Sequence, residues 1–138
     1  MERSAEVSEF VSSLLATFGT SRMGDAFADA MSSDPGTLLI GTDNIEWWDS
    51  QVSLRRAIKA QGQELEGARA TVTQTEGWTD GSVGWGAGRF EVAFADGPGR
   101  QLRFTATVVN QADGWKIVQG HVSMGVPNEE AVGKELTV

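Results

Sequence analysis

The sequence predicts an α+β domain in which three N-terminal helices pack on one face of a strongly curved antiparallel sheet. Two observations support this prediction. Apolar residues recur at helical spacing only before residue 66, and beyond it Asp-Gly pairs, which favour hairpins, follow one another at nearly even spacing. Because 138 residues is an ordinary length for one domain, we expect residues 1–138 to form a single domain.

Three stretches of the N-terminal half show the spacing of amphipathic helices. Apolar stripes cover residues 7–18 and 23–31, and they stop at a glycine or at a Pro-Gly turn, both of which end helices. A short buried strand is expected at residues 37–41. A loop with two tryptophans then leads to the third helix, which begins after Asp49 or Ser50, either of which is a good N-cap residue.

Four long antiparallel strands are expected in the C-terminal half, at residues 67–79, 82–95, 100–111 and 115–125. An Asp-Gly pair lies at each of the three junctions between these strands and favours a tight hairpin. Strands of about a dozen residues exceed the usual ~5 to 6 and must twist to stay packed, so the sheet should curve strongly. Residues 128–138 are expected to be a polar tail.

Alternation along these strands predicts which face of the sheet meets the helices. The even-numbered positions are mostly apolar and should face the helices. The odd-numbered positions mix hydroxyl and charged side chains with Trp85, Val109, Trp115 and Ile117. Because large apolar residues on an uncovered face indicate a second chain, we expect a homodimer through that face.

Composition argues against several functional classes. The chain has 19 acidic and 11 basic residues and a formal net charge of -8, which repels phosphate backbones and anionic lipids, so we expect no nucleic-acid or membrane partner. With no cysteine and one histidine, a zinc site of the usual ligands cannot be built within one chain, and we expect no metal and no cofactor. The lack of cysteine and of a signal pattern at the N-terminus predicts a cytoplasmic location.

Three segments carry a resemblance to a known family: LIGTDNIEWW at 39–48, LRFT at 102–105 and GWKIVQGHVS at 114–123. With these segments the chain resembles the SnoaL-like group of the nuclear transport factor 2-like superfamily, which is also called ketosteroid isomerase-like. The resemblance implies a cone-shaped domain, usually dimeric, whose curved sheet and helices enclose a pocket. The superfamily includes isomerases, cyclases, dehydratases and association domains, so the fold does not select an activity.

Two carboxylates, Asp43 and Glu46, follow the short strand and should lie at the mouth of the cone. In the isomerases and cyclases that the chain resembles, a carboxylate from this region removes a proton next to a carbonyl group. Trp47 and Trp48 would supply the apolar wall beside such a base. The alternative is that Asp43 caps its loop and that the tryptophans pack in the core.

His121 is a third catalytic candidate, and its orientation depends on the regularity of the last strand. Strict alternation places it on the odd face, as an interface residue. A β-bulge would turn it toward the pocket, and bulges are common where strands bend sharply.

Five further residues are expected on the helix-facing side, where they would line the pocket: Gly86, Gly88, Phe104, Ala106 and Met124. Either a closely packed helix or a ligand would fill the volume that the two glycines leave. Ketosteroid isomerases, which the chain resembles, hold their dienolate with a neutral carboxylic acid on the inward face of the third long strand and with a tyrosine. This chain has neither group.

Together these observations predict a pocket for a small, largely apolar metabolite. The first hypothesis is an isomerase, cyclase or dehydratase in which Asp43, Glu46 or His121 removes a proton. The alternative is a non-catalytic ligand-binding or dimerisation module. The missing tyrosine and inward acid favour this alternative over steroid isomerisation.

Overall fold

The computed structural model describes residues 1–137, which form four helices and one seven-stranded sheet. The helices are α1 (Ala5–Leu15), α2 (Met23–Ala30), α3 (Gln51–Glu64) and α4 (Asn128–Val132). The strands are β1 (Glu2–Arg3), β2 (Leu38–Ile40), β3 (Trp47–Trp48), β4 (Arg69–Asp80), β5 (Val83–Ala93), β6 (Arg100–Gln111) and β7 (Gly114–Met124). The predicted α+β class, with helices first and long antiparallel strands after them, is confirmed.

The order of strands in the sheet is β1-β4-β5-β6-β7-β2-β3. The four long strands pair as consecutive antiparallel neighbours. Their turns use the predicted Asp-Gly pairs, and Gly81 and Gly114 adopt the positive φ that tight hairpins require. At the far edge β2 runs parallel to β7, with Leu39 opposite Gly120, and β3 pairs antiparallel with β2. The sheet therefore ends in very short strands on both sides.

The core lies between the helices and the inner face of the long strands. Phe18 brings the first two helices together with the sheet, because its ring centroid lies 5.3 Å from that of Phe27 and 4.9 Å from that of Phe90. Phe104 is buried beside them. The strand ends extend past this cover, so Phe94 is half exposed although it occupies a predicted inward position.

Helix α1 lies unusually close to β4 and β5 because glycines take the place of side chains beneath it. A Cβ atom on Gly77 would lie 2.4 Å from the backbone nitrogen of Ser8, and one on Gly86 would lie 2.5 Å from a methyl carbon of Val11. Gly88 is likewise covered by α1. Of the two interpretations of Gly86 and Gly88, the structure shows the closely packed helix.

A β-bulge in the pairing of β6 with β7 changes which side chains face the helices. The register shifts between Thr107 and Val108, so Val108 lies opposite Ile117. Ile117 is fully buried, and Trp115 packs against the core. The prediction that Trp115 and Ile117 lie on the outward face is wrong, because a bulge reverses the alternation of side chains on one side of it.

Three short elements occur where none was predicted. Strand β1 precedes the first helix, strand β3 is formed by the two tryptophans that were assigned to a loop, and α4 lies within the segment predicted as a polar tail. None of them has the length from which a periodic pattern can be recognised. Among residues 1–137 no helix is both long enough and apolar enough to cross a membrane.

Candidate functional site

A cavity of about 320 Å³ opens between the ends of α2 and α3 and the edge of the sheet. Most of its wall is apolar and comes from helices and strands alike: Phe18, Met23, Phe27, Leu39, Ile40, Trp48, Ile58, Leu65, Val92, Leu102 and Val122. Its polar side chains come from the loop between β2 and β3 and from the C-terminal half of α3: Thr42, Glu46, Gln61 and Glu64. An apolar cavity of this size with a few polar groups is typical of a small-molecule site.

A more open groove of about 760 Å³ adjoins this cavity, and the two share wall residues such as Thr42 and Leu102. Asp43, Arg100 and His121 line the groove but not the cavity. The basic residues of this region therefore lie outside the apolar cavity.

Glu46 is the carboxylate that the fold orients at the cavity. Its Oε1 accepts a hydrogen bond from the backbone N–H of Asp43 at 2.8 Å, and its Oε2 accepts a short hydrogen bond from the Gln61 side-chain amide. The backbone N–H of Gly41 donates to the Glu46 carbonyl at 2.9 Å and closes the loop that carries the side chain. Half-buried and held at both oxygens, the Glu46 carboxylate has a fixed position.

The Glu46 side chain lies directly against Gly41 because glycine has no Cβ atom. A Cβ at Gly41 would lie 2.6 Å from Oε1 of Glu46 and 2.8 Å from its Cδ. Gly41 does not have a positive φ, so space rather than backbone conformation requires glycine here. Gly41 thus leaves the space that the Glu46 carboxylate occupies.

Helix α3 brings Gln61 to the cavity. Ser50 caps the N-terminus of the helix, accepting from the backbone N–H of Ser53 at 3.1 Å, and the Ser53 side chain completes the capping box. Near the other end Gly62 lies against Gly24 of α2, where a Cβ on Gly62 would be 2.9 Å from the Gly24 Cα. The cap and this close contact set the position of α3 along its axis, and with it the position of Gln61 beside Glu46.

Sequence reasoning missed Gln61, although a signal for it was present. The inward stripe of α3 passes through Leu54 and Ile58 and continues at Leu65, and Gln61 falls on the same stripe. A polar residue within an apolar stripe either finds a buried partner or faces a pocket, and Gln61 does both.

The Asp43 carboxylate turns back to its own loop. Its Oδ1 accepts from the backbone N–H of Ile45 at 3.1 Å, and the residue is exposed. This local hydrogen bond is the Asx turn that aspartate commonly forms. Asp43 and Glu46 are therefore close in the chain but face different surroundings, Asp43 the open groove and Glu46 the cavity.

The other candidate residues divide between the cavity, the groove and the core. Trp48 lines the cavity, whereas Trp47 is 60% exposed. His121 lies opposite Thr105, on the face that strict alternation gives it, because the bulge in β7 precedes it. It lines the groove together with Met124.

Besides Trp47, four residues expected at the pocket line neither the cavity nor the groove. Gly86 and Gly88 lie under α1, and Phe104 and Ala106 are buried in the core. The cavity is therefore displaced from the middle of the sheet toward the mouth. Within residues 1–137 no group of three or more His, Asp or Glu side chains is arranged to hold a metal ion.

A curved sheet covered by helices, with a cavity at its open end, defines a pocket domain of the nuclear transport factor 2-like fold. The family described as SnoaL-like domain matches residues 7–127, so the chain belongs to the SnoaL-like family. No curated protein matches the chain in sequence.

Solved structures share this fold at low sequence identity. A nuclear transport factor 2-like protein of unknown function from Pseudomonas putida is similar with a TM-score of 0.76 and 11% identity, over 96% of this chain and 92% of that chain. A proposed ketosteroid isomerase from Parabacteroides distasonis has a TM-score of 0.68 and 15% identity, over 86% of this chain and 85% of that chain. A proposed dehydratase from Streptomyces avermitilis has a TM-score of 0.68 and 15% identity, over 86% of this chain and 96% of that chain.

Proposed function

We propose that the protein binds a small, largely apolar molecule in the cavity and that Glu46 acts on this molecule as a general base. The reaction would be of the isomerase, cyclase or dehydratase type. The observation that carries the proposal is a single oriented carboxylate, Glu46, at the edge of an apolar cavity. The folds shared with a proposed isomerase and a proposed dehydratase support this class of reaction.

The hydrogen bonds of Glu46 are compatible with its role as a base. An ionised carboxylate has about four lone-pair sites, so the donors from Asp43 and Gln61 leave sites for a proton. Holding the carboxylate in place before the ligand arrives lowers the entropic cost of reaching the reactive geometry. Gln61 would therefore act as a positioning residue for Glu46.

Ring opening of nitrobenzisoxazole tests for the base although the natural substrate is unidentified. A base removes one carbon-bound proton of this compound, the electron pair breaks the nitrogen–oxygen bond, and a coloured phenolate forms. The protein should accelerate the reaction above the rate given by acetate at equal carboxylate concentration. Glu46→Gln keeps the shape but removes the proton acceptor, so the rate should fall by about 10² to 10⁴.

Asp43→Asn is the matched control, because the Asp43 carboxylate bonds to its own loop. The Asn side chain can still accept from Ile45, so this variant should keep the rate within a few-fold. Thermal melting of both variants separates loss of the base from loss of the fold. If Asp43→Asn abolishes the reaction and Glu46→Gln does not, the base is Asp43 and the assignment to Glu46 is wrong.

A non-catalytic ligand-binding module is the second candidate function. It is favoured by the inward positions of β6, where Leu102, Phe104 and Ala106 offer no acid to stabilise a developing negative charge. Native mass spectrometry of gently purified protein would detect a small molecule retained in the cavity. A retained compound together with a nitrobenzisoxazole rate no faster than acetate would favour the binding module.

A homodimer through the outer face of the sheet is also part of the proposal. Trp78 and Trp85 stack on this face with ring centroids 6.2 Å apart, and Trp85 and Val83 are 39% and 48% exposed. Sedimentation equilibrium should give twice the chain mass, and Trp85→Glu should shift the distribution to monomer because it adds a charge to an apolar contact. A monomeric wild-type protein at tens of micromolar would contradict the dimer.

A further inference from the structure

The charges around the cavity differ from those of the adjoining groove. Two carboxylates contribute to the cavity wall, the half-buried Glu46 and the exposed Glu64, and none of the described residues that line it is Lys, Arg or His. The chain as a whole carries a formal net charge of -8, which raises the local concentration of cations around it. Both the wall and the long-range field therefore disfavour an anionic ligand.

Aromatic rings complete the same wall. Phe18, Phe27 and Trp48 line the cavity, and Trp48 is carried on β3 beside the loop that holds Glu46. Ring faces attract cations, tryptophan most strongly, and the attraction grows when water is excluded. Aromatic side chains together with carboxylates form the chemistry that recognises an ammonium group.

The proposed reaction makes the same demand on the ligand. When Glu46 takes a carbon-bound proton, an O–H bond forms on its carboxylate and the electron pair stays on the ligand. The uncharged donors in the wall are Thr42 and Gln61, and one Gln61 N–H is already bonded to Glu46. A positive charge carried by the ligand would stabilise that electron pair where the wall supplies no cation.

We infer that the cavity selects an apolar amine: a compact apolar body that carries one positively charged nitrogen. This inference rests on the proposed ligand-binding function of the cavity. Glu64 and Trp48 bind the nitrogen, and the apolar wall binds the body. Apolar carboxylates of the same size are rejected.

Three adamantanes substituted at the bridgehead test the inference, because they share one apolar body and differ only in charge. They are adamantanamine, adamantanol and adamantanecarboxylate, and their affinities are measured by isothermal titration calorimetry at neutral pH. The amine should bind at least about tenfold more tightly than the alcohol, since a hydrogen bond to a charged group outweighs a neutral one by about this factor. The carboxylate should bind more weakly than the alcohol.

Matched variants assign the preference to the cavity. Glu46→Gln and Glu64→Gln should each reduce the ratio of amine to alcohol affinity, because each removes one negative charge from the cavity wall. Glu66→Gln is the control, because Glu66 is exposed and lies outside the cavity wall. It changes the net charge by the same amount and should leave the ratio unchanged.

Three results would overturn the inference, with different consequences for the proposed binding function. If the alcohol binds and the amine does not bind more tightly, the cavity is a ligand site without charge selection, and the proposed binding function stands. If the carboxylate binds most tightly, the inference is likewise wrong while the proposed binding function stands. Binding of the carboxylate would then be assigned to Arg100 and His121 of the groove. If none of the three compounds binds, the proposed binding function is wrong as well.

Discussion

The two ends of the inner sheet face are covered by helices at different distances. At one end α1 rests on Gly77, Gly86 and Gly88, and atoms of the helix occupy the space of the missing side chains. At the other end α2 and α3 face side chains such as Val92 and Val122 across a cavity of about 320 Å³. The residues of the sheet therefore determine how closely a helix approaches and where volume is left for a ligand.

The two ends should therefore respond differently to changes of side-chain volume. A close-packed region loses stability when volume is removed and also when it is added, because few voids exist to absorb the change. A region that already contains a cavity has fewer contacts to lose and more room to gain. The following predictions test this difference in order of decreasing effect.

Leu15→Ala should cause the largest loss of stability. Leu15 is the last residue of α1 and is fully buried against the sheet, so its truncation should lower the free energy of unfolding by about 2 to 5 kcal/mol, as measured by urea denaturation. Leu102→Ala removes the same atoms from a half-buried position in the cavity wall and should cost well below that range. Equal losses would show that the cavity end is as tightly packed as the α1 end.

Gly77→Ala should lower the free energy of unfolding by about 1 to 3 kcal/mol, because the added methyl group meets backbone atoms of Ser4 and Ser8 that cannot rotate away. Gly97→Ala is the control, since a Cβ there has no neighbour within 4 Å and Gly97 does not have a positive φ. Its effect should stay within about 0.5 kcal/mol. A neutral Gly77→Ala would mean that α1 can move away from the sheet without loss.

Val122→Phe should change stability less than Leu15→Ala or Gly77→Ala, because the larger ring can occupy the cavity that Val122 lines. We expect a change below about 1.5 kcal/mol, and a fall of adamantanol affinity by at least about tenfold. Val11→Phe adds the same atoms to a fully buried position of α1 and should destabilise by more. Unchanged adamantanol binding in Val122→Phe would locate the ligand outside the cavity.

The smallest effect on stability is expected from removing an ion pair, Lys116 with Asp113, that belongs neither to the contact of α1 with the sheet nor to the cavity. Lys116 Nζ lies 3.1 Å from Asp113 Oδ2, and its hydrogen bond, with a backbone hydrogen bond of Asp113, lowers the pKa of that carboxyl from its ordinary value of 3.8. A lowered pKa in the folded state gives stability that is present above pH 3.8 and is lost as the pH falls through the lowered value. Lys116→Met should therefore raise the Asp113 pKa toward its ordinary value in an NMR titration.

The wild type should exceed Lys116→Met in free energy of unfolding by slightly more at neutral pH than in acid. In acid Asp113 is protonated in both proteins, and the ion pair no longer contributes. The Asp113 carboxyl is exposed to solvent, which screens the pair, so this pH-dependent part should be small. Lys116 also donates to the Asp29 carbonyl at 2.6 Å, and that loss does not depend on the Asp113 charge. A pH-independent difference would assign the whole effect to the Asp29 contact.

The sequence predicted the long elements well because local chemistry determines them. The predicted strand at residues 100–111 has the bounds of β6, and the Asp-Gly turns lie where expected. The inward orientation of Trp115 and Ile117 in β7 was not predictable, because the bulge that follows them in the chain arises from pairing with β6 and leaves no local signature. Local rules therefore sufficed for elements and failed where a neighbouring strand decided the register.

The candidate site was predictable only in part for the same reason. Glu46 was recognised as a candidate from its position after β2, but its partner Gln61 is contributed by another element, α3. Whether a ligand or a helix fills the space above Gly86 and Gly88 depends on where α1 packs. The residues that flank these glycines in the sequence do not determine that position. Contacts between elements therefore decided the parts of the site that sequence reasoning missed.

The outer edge of β4 limits how copies of this chain can add to one another. Strand β1 pairs only with Trp78 and Thr79, and the rest of that edge carries a bulge and the charged residues Arg69 and Glu76. A bent and charged edge is a poor template for a further strand, because the backbone groups of an incoming chain cannot align with it. Strand addition at this edge is thereby disfavoured, although the adjacent outer face of the sheet carries the partly exposed Trp85.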